Sequence, residues 1–248
     1  MSLQNTILLE KAVPGVIELT RENFPLVMSN LKQIMPQGIN LYPIGSAGHK
    51  DVSSDIDALI DAGELMAVFP SKELKLARQQ LEQYFKGKGL FATRTGVSVH
   101  VGVPVGTTKK IVQVDLMAVE NAAAAQPLHT HDYSRDQKMK GGTVHAIWAD
   151  LARIATTPEH PSVMISPYKG LVDRDTKELI TNNKDEIAKV LIGPEATAQE
   201  LSSVGAILDA LKPYPQKYDE IKKKYAPVHE SIKFGSNEWF RQLMDRLP

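Results

Sequence analysis

The clearest pattern in the chain is a period of two. Val97, Val99, Val101 and Val103 alternate with Ser98, His100 and Gly102, which predicts a half-buried strand. Ile111, Val112, Val114, Leu116, Met117 and Val119 predict the return strand, antiparallel to the first after a turn around Gly106. Two shorter apolar runs precede this pair. Ile39 to Ile44 reads as a strand whose Pro43 suits an edge or an end. Ile56, Ala58, Leu59 and Ile60 read as another. Leu74, Leu76, Ala77, Leu81 and Phe85 recur at helical spacing, so a helix is expected over residues 71–85, stopped by Gly87 and Gly89. Residues 6–36 read as interrupted helix, with Pro14 and Pro25 near helix starts.

The pattern changes after Glu120. A polar connection reaches Gly141-Gly142, and helices are expected over residues 143–154, 183–192, 196–211 and 235–246. The fold class is α+β: a mixed sheet with flanking helices, followed by a mainly helical region. The boundary belongs between residues 120 and 142, which gives domains of 1–130 and 131–248.

Composition narrows the function. The 248 residues carry 29 Lys plus Arg against 29 Asp plus Glu, a net charge of zero. Coating nucleic acid by bulk electrostatics normally needs a basic excess. Cysteine is absent, which excludes disulfides, thiolate nucleophiles and cysteine-rich zinc sites. No secretory signal and no run of 18 apolar residues occurs, so no membrane partner is expected and the cytoplasm is the expected location, that of a host cell if the protein is viral.

Three aspartates stand out. Asp55 and Asp57 point the same way if they lie on one strand, and Asp115 lies among apolar neighbours on another. Clustered carboxylates repel one another, and a hard divalent cation such as Mg2+ resolves that conflict. Gly45-Ser46, just upstream, can bring backbone N–H groups and a hydroxyl to phosphate oxygens. The loop lacks the Lys-Ser or Lys-Thr ending of a P-loop.

Gly45-Ser46, eight residues, then Asp55-Ile56-Asp57 with a later strand aspartate resembles the signature of the DNA-polymerase-beta-like nucleotidyltransferase superfamily. The resemblance covers residues 39–119. It implies a nucleotidyltransferase-like sheet and transfer of a nucleoside monophosphate from a nucleoside triphosphate (ATP among the candidates) to a hydroxyl, with release of pyrophosphate. It also implies Mg2+ or Mn2+ held by Asp55, Asp57 and Asp115, with Gly45 and Ser46 on the phosphates. The acceptor is left open among RNA (including a tRNA end), a protein and a small molecule. Residues 166–174 resemble uncharacterised bacteriophage members. The alternative is a non-catalytic protein of this fold that binds or builds, such as a component of a phage particle.

Other residues have two readings each. Lys138 and Lys140, before Gly141-Gly142, are candidate triphosphate anchors, as are Arg94 and Arg135; each is otherwise a surface cation. His49 and Lys50 border either the triphosphate or solvent. His100 faces away from the valines, toward cleft or solvent. Arg153 and Lys169 are candidates to reach the cleft. His129, His131 and Asp132 suit a metal pair or a polar loop, with the loop favoured. Trp148 and Trp239 suit the core. Lys217, Lys222, Lys223 and Lys224, with Tyr218 and Tyr225, suit a nucleic acid backbone or, more commonly, a solvated helix face.

Overall fold

The computed structural model describes residues 12–133, 141–155 and 162–230. The chain divides into two compact units, residues 1–130 and 131–248.

The first unit is built on a mixed five-stranded sheet. Its strands are β2 (Tyr42–Ile44), β4 (Ile56–Asp61), β5 (Ala92–Thr95), β6 (Ser98–Pro104) and β7 (Ile111–Val119), in the order β2-β4-β7-β6-β5. Only the β4–β7 pair is parallel. A two-stranded ribbon joins β1 (Leu19–Thr20) to β3 (Val52–Ser53). The valine alternation predicted β6, and the antiparallel β6–β7 pairing is as expected. Pro43 sits on the edge strand β2, where its missing N–H costs the ladder nothing. Its carbonyl accepts from Gln126 Nε2 at 2.9 Å.

One face of this sheet is covered by helices. They are α1 (Phe24–Ile34), α2 (Ala62–Val68) and α3 (Leu74–Gly87). Val27, Met28 and Leu31 of α1 and Ala77, Leu81 and Phe85 of α3 lie at helical spacing. They close over Ile56, Ala58 and Ile60 of β4, Val99, Val101 and Val103 of β6, and Val112, Val114 and Leu116 of β7. Because strand side chains alternate, the intervening residues of these strands stand on the opposite face.

One expectation for this unit needs correction. Residues 12–20 are a turn followed by extended chain rather than a helix: Val16 bridges Ile111 and Leu19 enters β1. Pro14 and Gly15, with Gly15 at φ +73°, forbid the helix that the apolar spacing mimics. Strand β5 and helix α2 were not legible in the pattern. A four-residue helix, α4 (Ala122–Ala125), follows β7 and packs on β4 and β7.

The second unit holds α5 (Gly141–Ile154), α6 (Lys184–Leu191), α7 (Val204–Leu211) and α8 (Pro215–Glu230). Residues 196–203 are turns, so the helix expected over 196–211 begins only at Val204, capped by Ser203. A three-stranded antiparallel meander, β8 (Val163–Ser166), β9 (Gly170–Asp173) and β10 (Leu179–Thr181), was not expected. Gly170 makes it close: it has φ +103°, and a Cβ there would lie 2.5 Å from the Thr181 carbonyl oxygen. Trp148 is buried in α5, as expected. The helix expected over 235–246 and Trp239 lie outside the described residues. No described helix is long and apolar enough to cross a membrane.

Candidate active site

The face of the five-stranded sheet opposite α1, α2 and α3 carries a row of polar side chains at one level. Asp57 on β4 is the register partner of Asp115 on β7, and Asp115 is the partner of His100 on β6. Neighbouring strands are about 4.8 Å apart, so three adjacent strands deliver two carboxylates and an imidazole side by side. Asp55 lies one residue before β4 and interacts electrostatically with Asp57 and His100.

Hydrogen bonds tie this row together. His100 Nδ1 lies 2.7 Å from Asp115 Oδ1, and its Nε2 lies 2.5 Å from Thr95 Oγ1. Gln113 Nε2 donates to the same Asp115 Oδ1 at 2.9 Å. Gln113 Oε1 in turn accepts the Val13 backbone N–H at 3.1 Å. His100 and Gln113 are 8% and 4% exposed, so both residues that contact Asp115 are themselves buried.

The electrostatics follow from the crowding. Burial, then Asp55, then Asp115 push the Asp57 carboxyl up to about 7, against a smaller pull from His100. The hydrogen bond to Asp115 raises His100 above its usual value, and burial opposes it. A divalent cation would remove the conflict among the carboxylates, and their hard oxygens suit Mg2+. The donor chemistry therefore fits such an ion. Among the described residues, no three Asp, Glu or His side chains already converge as a set of ligands, so the aspartates would have to close on it.

Gly45 touches this row. It follows Ile44, the register partner of Asp57, and has φ +76°. A Cβ on it would lie 3.1 Å from Asp57 Oδ2. Ser46 Oγ lies 3.3 Å from Ser53 Oγ. The segment after Ser46 is a turn and not the start of a helix: the Ser46 carbonyl accepts from both His49 N and Lys50 N. Gly48, at φ +79°, lets the turn pass Phe24, which a Cβ would meet at 2.8 Å. Arg21 braces the turn from outside, through the His49 carbonyl at 2.5 Å and Asp51 at 3.1 Å.

Neither a protein family nor a curated protein matches the sequence. Parts of many solved structures are similar to it, and two serve as examples. One is a poly(U) polymerase solved with Mg and 3′-dATP, at 14% identity and a TM-score of 0.33 over 61% of this chain and 48% of that one. The other is a cytoplasmic RNA terminal U-transferase, at 16% identity and a TM-score of 0.28 over 61% of this chain and 46% of that one. The similarity spans about half the length of each. The geometry of the row carries the functional argument.

The remaining candidates fall into place separately. Arg94 is the partner of Val99 and so stands on the helix-covered face, where its Nε meets Glu82 at 2.7 Å. Arg153 and Lys224 pair with Asp150. Lys217 donates to the carbonyls of Leu191 and Ile192 at the end of α6. Half of the basic run is thus used in packing the second unit. His131 stands edge-on to Tyr133, His145 and Trp148, in an aromatic cluster. Arg135, Lys138 and Lys140 lie outside the described residues.

His100, Gln113 and Thr95 are the contributors that the sequence ranked low or missed. The alternation placed His100 opposite the valines, but only the register with β7 says that it meets Asp115.

Proposed function

We propose that this protein is a metal-dependent nucleotidyltransferase, moving a nucleoside monophosphate from a nucleoside triphosphate to a hydroxyl acceptor. The observation that carries the reading is the registered Asp57–Asp115 pair, with Asp55 beside it and Gly45 against Asp57. The motif order of the superfamily described above supports it. In this reading residues 1–130 are the catalytic domain and 131–248 a mainly helical companion.

Asp55, Asp57 and Asp115 would hold Mg2+ or Mn2+. Such an ion, when bound, lowers the pKa of the attacking hydroxyl and neutralises charge on the departing phosphates. Gly45 and Ser46 orient the β and γ phosphates through backbone N–H groups and the Ser46 hydroxyl. Asp115 accepts the acceptor's proton. A bond forms between the acceptor oxygen and the α-phosphorus, the bridging bond to the β-phosphate breaks, and pyrophosphate leaves. The acceptor is an RNA end, a protein side chain or a small molecule.

One observation favours a second reading, a binding or structural protein of this fold. The contact with His100 gives Asp115 a partner without any metal. Against it stand Asp55 and Asp57 beside Asp115, two carboxylates more than a partner for His100 requires.

The test is incubation with labelled nucleoside triphosphates, Mg2+ and cell extract, followed by fractionation into RNA, protein and small molecules. One class should become labelled with release of pyrophosphate, and Asp55→Ala and Asp115→Ala should abolish both. Turnover that survives both substitutions rules the mechanism out.

A further inference from the structure

We propose that His100 and Gln113 are positioning residues that dedicate one oxygen of Asp115 to the protein and leave the other for chemistry. The inference rests on the nucleotidyl-transfer reading above. Both donors converge on Asp115 Oδ1, at 2.7 Å from His100 and 2.9 Å from Gln113. Two donors on one oxygen resist rotation of the carboxylate about its Cβ–Cγ bond, so Oδ2 takes a fixed direction.

Both donors are themselves held. Thr95 fixes the far side of the imidazole. The Val13 N–H can meet only an acceptor, so the Gln113 carbonyl faces Val13 and its amide nitrogen faces Asp115. Nδ1 carries a proton toward Asp115 whether the imidazole is neutral or charged. Asp115 thereby meets a substrate or cation through Oδ2 alone, in a direction set before either arrives. Groups that hydrogen-bond a ligating carboxylate commonly govern metal affinity in this way.

A purely structural role would move stability alone, and the experiment separates the two. Mn2+ binding to the full chain is followed by the electron paramagnetic resonance of the free ion, and pyrophosphate release is measured against Mn2+ concentration. His100→Leu and Gln113→Leu should each weaken Mn2+ binding by about 10- to 100-fold. They should lower kcat while KM for the triphosphate at saturating Mn2+ stays unchanged. His100→Asn places an amide nitrogen near the position of Nδ1 and should restore most of the binding. Unchanged Mn2+ affinity in His100→Leu overturns the inference. So does His100→Asn as impaired as His100→Leu at equal Tm. In both cases a wild-type protein that binds Mn2+ and releases pyrophosphate leaves the transfer reading standing. A wild type that does neither overturns the transfer reading, and the inference falls with it.

Discussion

Asp57 and Asp115 stand opposite each other on adjacent parallel strands, two carboxylates on one face and at one level of the sheet. A sheet shaped for stability alone avoids such a pair, since each charge disfavours the other. At Asp57 that repulsion adds to burial, the larger cause, and both raise the carboxyl.

Asp57 holds a proton in the folded chain that the unfolded chain has already released. Its carboxyl moves from 3.8 to about 7 on folding, so between those values the native state binds more protons and stability falls as pH rises. The loss is on the order of 4 kcal/mol once the window is crossed. The Asp115-bonded His100, raised from 6.5, adds a loss in the same direction, complete only above its folded pKa. Asp57→Asn loses the carboxylate effect and keeps the main part of the histidine one, which comes from the Asp115 hydrogen bond. Urea denaturation should find it more stable than wild type at alkaline pH, with the gap closing as pH falls below 4. Mg2+ should raise the wild-type Tm at alkaline pH more than that of the variant. Parallel stability curves for the two proteins across the window would refute this account.

Gly45→Ala meets two penalties at once. The left-handed backbone costs a residue with a Cβ about 1–2 kcal/mol. The added methyl also presses on Asp57 Oδ2 from 3.1 Å. Thermal unfolding should register the first penalty. Pyrophosphate release should fall by at least the tenfold that about 1.4 kcal/mol represents, because the second acts on the carboxylate itself. A variant destabilised but fully active would show that Gly45 serves the turn alone.

Arg94 provides the contrast. Its guanidinium and Lys86 hold the two oxygens of Glu82, at 2.7 and 2.5 Å, on the covered side of the sheet. Arg94→Leu should lower stability by about 1 kcal/mol and leave KM for the triphosphate unchanged. A raised KM at unaltered stability would return Arg94 to the substrate.

In the second unit, Asp150 is 4% exposed and accepts from Lys224 Nζ at 2.6 Å and Tyr225 Oη at 2.5 Å. Asp150→Ala leaves Lys224 and Arg153 without their carboxylate and should cost about 3–5 kcal/mol by chemical denaturation. Burial pushes the Tyr225 phenol up to about 12, against a smaller pull from Arg153. Ultraviolet titration should therefore show a late tyrosine ionisation that is lost in Tyr225→Phe. Its early ionisation in the native wild type would contradict the buried contact.

The sequence made some of this legible for physical reasons. Strands β6 and β7 announce themselves because one face is valine and the other is not, and the return strand brings Asp115 with it. Asp55 and Asp57 are legible as a pair because a period of two needs no knowledge of the fold. His100 and Gln113 were not, because their meaning lies in cross-strand register, which no local pattern reports. Strands β8 to β10 are only three or four residues long, too short for alternation to show. The opening segment misled because Val13, Val16 and Ile17 copy helical spacing in a stretch that Pro14 and Gly15 break with a turn.

That same segment reaches further than its position suggests. Val13 is fully buried, and its N–H is the contact that orients Gln113, which in turn grips Asp115. Trimming the chain past Val13, or fusing a bulky tag just ahead of it, would disturb the acidic row before it disturbed the helices behind the sheet. A shortened version could be soluble, cooperative in unfolding and idle.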